Sequence, residues 1–382
     1  MKFKNSPMGI IIRTPKGYDA FVPNPMPPKI DWNNDLLVNM SKTDHILGVL
    51  SAEGAKLPNP HLLMRPFIAK EAVLSSKIEG TQATLGDILA HDVGVKIKSN
   101  YEDLIEVNNY ISSLDYGISR LETLPLSLRL IREIHGILMK GKAHLTPGEF
   151  RVSQNWIGSP GCSLSNAKYI PPPPEEMIHC LRNFEIFLHD KSLPPLIHIA
   201  LCHYQFEAIH PFLDGNGRIG RLLIILLMIE KKLLLSPMLY ISAFFEATKI
   251  EYYSQLYSVS STGNLNDWFL YFLNAIYTQS LDVLSRVRRI NTLLTNWQIE
   301  VGKDTLAQNI IKQVAVNPYC SINKMKEKLK VSFTTSQRGI KKLETLGILK
   351  AVSNKKRDRV FYAEKILAIL EEETKINQNI DC

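Results

Sequence analysis

The sequence predicts a mainly α protein: a helical bundle broken by one β-hairpin and followed by a small winged helix-turn-helix unit. Three observations predict it. Apolar residues recur at helical spacing along most of the chain from Asn33 to Asn291. One stretch, 149–170, has β-forming ends around a Gly/Ser/Pro centre, which is the pattern of a hairpin. Residues 303–365 then give three helical patterns and two short strand-like runs, the element order of a winged helix.

At 382 residues, with 45% hydrophobic and 21% charged side chains, the chain is long enough for two or three folded units and too apolar to be disordered. The five cysteines are odd in number, scattered and form no CxxC pair, so their spacing suggests neither a disulfide framework nor a zinc site. The first residues lack the apolar core of a signal peptide, and the longest apolar run, Leu222 to Ile229, is too short to span a bilayer. A cytoplasmic protein with no membrane partner is expected. The formal charge of +8 is uneven: Lys303 to Lys365 holds 15 basic and 5 acidic residues. Such asymmetry marks a surface for nucleic acid or another acidic partner.

In chain order, the prolines of 16–30 rule out a helix and predict an extended arm lying on a body. Asn34 and Asp35 cap a helix through Leu50. Pro66 to Glu79 reads as a second helix, closed by Gly80 in the C′ position. Further helices are expected over Tyr101–Ser119, Ser127–Met139, Glu175–Phe187 and Leu265–Asn291. Pro195 to Ile209 and Leu222 to Ile229 are apolar nearly all round, so both belong in the middle of a bundle. Ser321–Leu329 and Thr334–Leu346 are the second and recognition helices of the C-terminal unit, the latter capped by Thr334 or Thr335, with Lys350–Val352 and Arg359–Tyr362 as wing strands. The boundaries drawn are 1–120 for the arm and N-terminal helices, with residues 66–80 singled out, 121–295 for the core and 303–366 for the winged helix.

The chemistry concentrates in His210-Pro-Phe-Leu-Asp-Gly-Asn-Gly-Arg-Ile-Gly-Arg221. Gly215, Gly217 and Gly220 leave amides unshielded at a helix N-terminus, where the dipole and unused donors favour an anion. Arg218 and Arg221, three apart, share a helix face and can clamp a polyphosphate. Asp214 is a hard oxygen donor suited to Mg²⁺ held jointly with phosphates. His210, with an ordinary pKa of about 6.5, suits the role of base toward a hydroxyl. Singly, each of these residues has an ordinary packing explanation; their conjunction in twelve residues points to a phosphate cradle beside a base.

The segment resembles the Fic motif HPFx(D/E)GNGRxxR and matches it at every defined position. The resemblance implies a Fic-type helical bundle whose hairpin is the flap, and an AMP transfer from ATP to a protein hydroxyl. It assigns His210 as base, Asp214 to Mg²⁺, Gly215, Asn216 and Gly217 to an anion hole around the α- and β-phosphates, and Phe212 as the loop's anchor. Arg218 and Arg221 would hold the β- and γ-phosphates, with Ile219 and Gly220 completing the ATP-binding loop. Doc-type kinases of the same superfamily carry lysine at the second motif glycine, so Gly217 implies AMP transfer rather than phosphate transfer. Upstream, Ser75-Ser-Lys-Ile-Glu79-Gly80 fits the family's inhibitory pattern (S/T)xxxE(G/N), and Arg221 is the cation expected to answer Glu79. That pairing would bring Glu79 into the ATP site. By likeness, Trp156, Ile157 and Gly158 belong to the target-docking flap, Tyr252 contacts the nucleobase, and a homodimer is reasonable. Ser260 departs from the asparagine of relatives, which weakens the adenine assignment.

Two other readings stay open. In one, the chain is a DNA-binding regulator whose core senses a nucleotide, with Gln337, Arg338, Lys341 and Lys342 on the recognition helix and Lys355, Lys356, Arg357 and Arg359 on the wing as contacts. In the other, Glu79 positions water to remove AMP from modified proteins. Self-modification is also compatible with AMP transfer. The target protein is not legible.

Overall fold

The computed structural model describes residues 5–55, 60–95, 100–159, 161–352 and 359–374. The chain divides into two compact units, the first comprising residues 1–48, 109–234 and 244–277 and the second residues 49–108, 235–243 and 278–382. Helices dominate both. No described helix is long and apolar enough to cross a membrane.

The first unit opens with strands β1 (Gly9–Arg13) and β2 (Asp19–Pro23), antiparallel with Ile11 opposite Phe21. The arm expected over 16–30 is therefore partly a β-hairpin. Its prolines, at positions 23, 25, 27 and 28, fall at or after the end of β2, so none interrupts the ladder. The hairpin lies on the 149–170 segment, where the Phe21 amide donates to the Ile170 carbonyl (2.9 Å) and the Tyr18 hydroxyl to Gln154 Oε1 (3.0 Å). Among its described residues that segment carries no full ladder. One antiparallel rung, Ile157 with Tyr169, is what the expected hairpin amounts to, because the Gly/Ser/Pro centre supplies turns rather than strand residues.

Helices α1 (Asn34–Ala55), α4 (Tyr101–Leu121) and α11 (Leu265–Val301) run through both units. The first unit's core is built from α5 (Leu128–Leu138), α6 (Pro174–Leu188), α7 (Pro195–Ile209), α8 (Asn216–Glu230) and α10 (Lys249–Thr262). Helix α7 is buried on every face, as its uniform hydrophobicity requires, and it packs directly on α8. Ser127 caps α5 by accepting the Leu130 amide.

In the second unit, α2 spans Pro60–Ile78, longer than expected, with Pro66 inside it rather than at its start. The helix α3 (Leu85–His91) opens on a reciprocal Thr84–Asp87 capping box, and α9 (Ser242–Ala247) begins in this unit; neither was foreseen. The C-terminal part runs α12 (Thr305–Val316), β3 (Tyr319–Ser321), α13 (Ile322–Leu329), α14 (Phe333–Thr345), β4 (Lys350–Ala351), β5 (Val360–Tyr362) and α15 (Glu364–Glu371). The three strands form an antiparallel sheet in the order β3, β5, β4. Ser321 caps α13 as its position suggested, but α14 is capped by Ser332, whose hydroxyl accepts the Thr335 amide; Thr334 and Thr335 lie inside the helix. Helix α2 holds two neighbours through buried charges. Lys70 Nζ donates to the Leu370 and Glu372 carbonyls (2.8 and 3.2 Å) at the end of α15, and Glu71 accepts the Ser242 amide (3.0 Å) at the start of α9. Desolvation pushes the Lys70 ammonium down to about 8.

Candidate active site

Helix α7 ends at His210, whose left-handed backbone (φ 50°, ψ 60°) turns the chain out of the bundle while its amide still bonds the Phe206 carbonyl. Five residues later Gly215, at φ 79°, reverses the chain into α8. A side chain at that φ would be strained, which explains the glycine. The short turn 211–215 thus joins two buried helices, and the amides of Asn216, Gly217 and Arg218 open the first turn of α8. Those donors lie outside the helical ladder. The Ile219 amide already bonds the Gly215 carbonyl (3.0 Å), and Gly220 follows it inside the helix.

Side chains from three directions hold the turn. From α8, Asn216 accepts the Phe212 amide and donates to the Phe212 carbonyl (both 2.8 Å), so its side chain closes the loop instead of facing outward. From the 149–170 segment, Arg151 Nε donates to the His210 carbonyl (3.0 Å) and Asn155 Nδ2 to the His210 and Phe212 carbonyls (3.1 and 2.8 Å). Burial draws the Arg151 guanidinium down to about 10. From α5, the His135 ring stacks on Phe212 (centroids 3.7 Å apart, 6° between planes). Its Nδ1 accepts the Gly148 amide at 2.8 Å, which leaves the proton on Nε2 to meet the Asp214 carbonyl at 3.1 Å. Burial pulls this imidazole down to about 4, so it is neutral. Phe212 is fully buried between His135 and Phe150, the anchor the motif implied.

The expected site residues are distributed as follows. His210 leads into the turn and Asp214 lies within it; the Asp214 side chain is 46% exposed, with Oδ1 accepting the Gly215 amide and Oδ2 3.7 Å from Arg218. Arg218 and Arg221 are only 3% and 1% exposed, so the proposed clamp lies beneath the surface, with Arg221 bonding the Tyr252 hydroxyl. Tyr252 is enclosed, stacked on Phe245 and bonded to His203 Nε2 (2.8 Å), while His203 donates from Nδ1 to the Gly220 carbonyl (3.0 Å). At 1% exposure its ring is buried beside Phe245 and His203. Trp156 is partly exposed, its indole donating to the Cys162 carbonyl (3.0 Å), and Ile157 and Gly158 sit beside the single rung.

On α2 the Ser75 hydroxyl is buried, Glu79 follows the last helical residue at the surface, and Gly80 adopts φ 110° in the C′ position. Glu79 belongs to the second unit and Arg221 to the first. On α14, Gln337, Arg338 and Lys341 are exposed, whereas Lys342 pairs with Asp304 (2.7 Å) and Arg359 with Glu344 (2.7 Å). Lys355, Lys356 and Arg357 lie outside the described residues.

Sequence reasoning missed His135, Arg151, Asn155 and His203. A buried arginine and an asparagine bracketing the hairpin start carry no motif; the usable signal was that Arg151 stands in a β-forming run with no acidic neighbour on either side of it beyond Glu149.

The turn, its flanking buried helices and the histidine at its mouth match known proteins. A Fic/DOC family model matches residues 125–228, and a Fic/DOC family N-terminal model matches residues 37–119. The chain carries a Fic/DOC-family domain. Over 157 residues it is 32% identical to the protein adenylyltransferase Fic of Drosophila virilis, covering 38% of this chain and 30% of that protein, and equally identical to its Drosophila melanogaster counterpart, covering 29% of it. The chain therefore spans less than a third of the length of the curated relatives it matches. Among solved structures, a Fic family protein from Desulfovibrio desulfuricans G20 aligns over 88% of this chain and 98% of its own at 20% identity, with a TM-score of 0.61. Fic-1 from C. elegans (residues 134–508) aligns over 68% and 74% at 23% identity, with a TM-score of 0.52. These likenesses establish the mainly helical Fic fold.

Proposed function

We propose that the chain is a protein adenylyltransferase that moves AMP from ATP to a hydroxyl of a target protein. The observation that carries this reading is the juxtaposition, around one short turn, of the His210 imidazole with the N-terminal amides of α8, those of Asn216 and Gly217 foremost. The target hydroxyl gives its proton to His210, its oxygen attacks the α-phosphorus, and pyrophosphate departs. The amides at the start of α8 answer the charge on the phosphate oxygens without reorganising, which is the main protein contribution to such transfers. Asp214, a half-exposed carboxylate beside those amides, fits a Mg²⁺ ion shared with phosphates better than a dedicated cage does, and among the described residues no three His, Cys, Asp or Glu side chains gather to make one. When bound, Mg²⁺ supplies neutralisation of the polyphosphate charge.

In this reading Glu79 restrains activity by pairing with Arg221, and Trp156 to Gly158 lie where a target strand would dock. The residues 303–366 act as a winged helix with Arg338 and Lys341 outward; a cytoplasmic setting and a homodimer complete the picture. Labelled ATP with Mg²⁺ is expected to mark protein, the target or the chain itself, more strongly in Glu79→Gly and not at all in His210→Ala. Absence of label in Glu79→Gly, on any protein offered or on itself, counts against the reading. The exposed basic face of α14 favours one second reading, a DNA-binding regulator, for which duplex retention must fall steeply with salt. AMP released from a pre-modified protein by wild type but not Glu79→Gly would instead assign Glu79 to removal.

A further inference from the structure

We propose that Glu207 is the positioning residue for His210, holding the imidazole with its proton on Nδ1 so that Nε2 is the basic nitrogen. This inference rests on the reading of His210 as the general base and extends it to a residue outside the motif. Glu207 stands one turn before His210 on α7, and its Oε2 lies 3.8 Å from His210 Nδ1; the two side chains are 12% and 19% exposed. Long base–orienter contacts are usual before substrate binds and tighten afterwards.

A second feature fixes where that carboxylate sits. A Cβ placed on Gly220 would stand 2.2 Å from Glu207 Oε1, so the carboxylate fills the notch that the missing side chain leaves on α8. Gly220 occupies a variable position of the motif, and since its amide is inside the helix its lack of a side chain serves the carboxylate rather than an anion. Three other titratable groups at the turn bond to partners of their own. Arg151 donates to the His210 carbonyl and not to its ring, His135 joins Gly148 to Asp214, and Asp214 faces the Gly215 amide and Arg218. When the target hydroxyl transfers its proton to Nε2, the ring becomes an imidazolium with both nitrogens protonated, and the Glu207 carboxylate stabilises that charge until the Nε2 proton leaves to solvent.

The test uses the full chain in two variants, Glu207→Ala and Gly220→Ala. The second leaves Glu207 in place, removes a helix-interior glycine, and displaces the carboxylate from its notch, so it serves if the first folds poorly. Nitrogen-15 spectra of His210 in the nucleotide-free protein report the tautomer directly. Wild type is expected to carry the proton on Nδ1, and both variants to lose that preference. In a Glu79→Gly background the same variants are expected to lower kcat about tenfold or more with ATP affinity little changed. An Nδ1–H tautomer that persists in both variants, or is missing in wild type, overturns the proposal whatever kcat does. If Glu79→Gly itself transfers no AMP while the tautomer shifts as expected, the transfer reading falls and the positioning role stands.

Discussion

His135 illustrates how much of the candidate site depends on a buried residue outside its motif. With one nitrogen accepting from Gly148 and the other donating to Asp214, and its face on Phe212, it ties the loop after α5 to the catalytic turn. Replacing it by phenylalanine retains the stack but strands an amide and a carbonyl. His135→Phe is expected to lose about 1–3 kcal/mol, read from the urea midpoint, and to lower kcat for AMP transfer in the Glu79→Gly background. Phe212→Ala removes a fully buried ring and is expected to cost about 3–5 kcal/mol in the same assay. At this scale the sequence displayed the twelve-residue motif completely, and His210, Asp214 and the amides at the start of α8 stand together. What it concealed were partners distant in sequence. Asn216 turns its side chain inward to Phe212, Gly220 answers Glu207, and Arg151 reaches His210 across 59 residues. None of these follows from local pattern, because each is decided by which segment packs alongside.

Among the elements, α7 and α8 were the most legible, since a helix apolar on every face has only one place to go. The N-terminal hairpin was concealed by prolines that lie at and beyond its end, and the form of the 149–170 segment by turn residues that reduce it to one rung. Helix α2, which carries Ser75 and precedes Glu79, was recognised by its glycine stop but not by its attachments. Adjacent residues anchor it in opposite senses: Lys70 answers the carbonyls that end α15, and Glu71 answers the amide that begins α9, each charge meeting the helix end of complementary dipole. Lys70→Met is expected to remove the donor to the Leu370 carbonyl, leaving Arg286 alone on that of Glu372 (2.8 Å), and to speed amide hydrogen exchange over residues 364–371 well before α7 or α8 responds. Unchanged exchange there would show that the contact contributes little.

Considered whole, the protein keeps three imidazoles neutral in its first unit. Burial draws His135 and His198 down to about 4 and His203 to about 3. Because each folded value lies below the unfolded value of about 6.5, this stability is fully present above pH 6.5 and is lost as the pH falls toward 4, where the unfolded chain takes up protons that the folded one refuses. Urea midpoints are expected to be flat in this respect above pH 7 and to drop on going to pH 5, on the order of 1.4 kcal/mol per pH unit for each fully shielded imidazole. The thiols divide differently. Cys180, Cys202 and Cys320 are buried, and desolvation pushes Cys180 and Cys320 up to about 12 and Cys202 higher still. Cys162 is partly exposed, and its carbonyl receives the Trp156 indole on the segment that crosses the mouth of the turn. Among the described cysteines it is the one an alkylating fluorophore would reach first, and a dye fixed there would sit against a tryptophan on the face where the proposed target strand would dock. Quenching of that dye would then give a real-time optical signal of substrate arrival, with no need to wait for the chemistry.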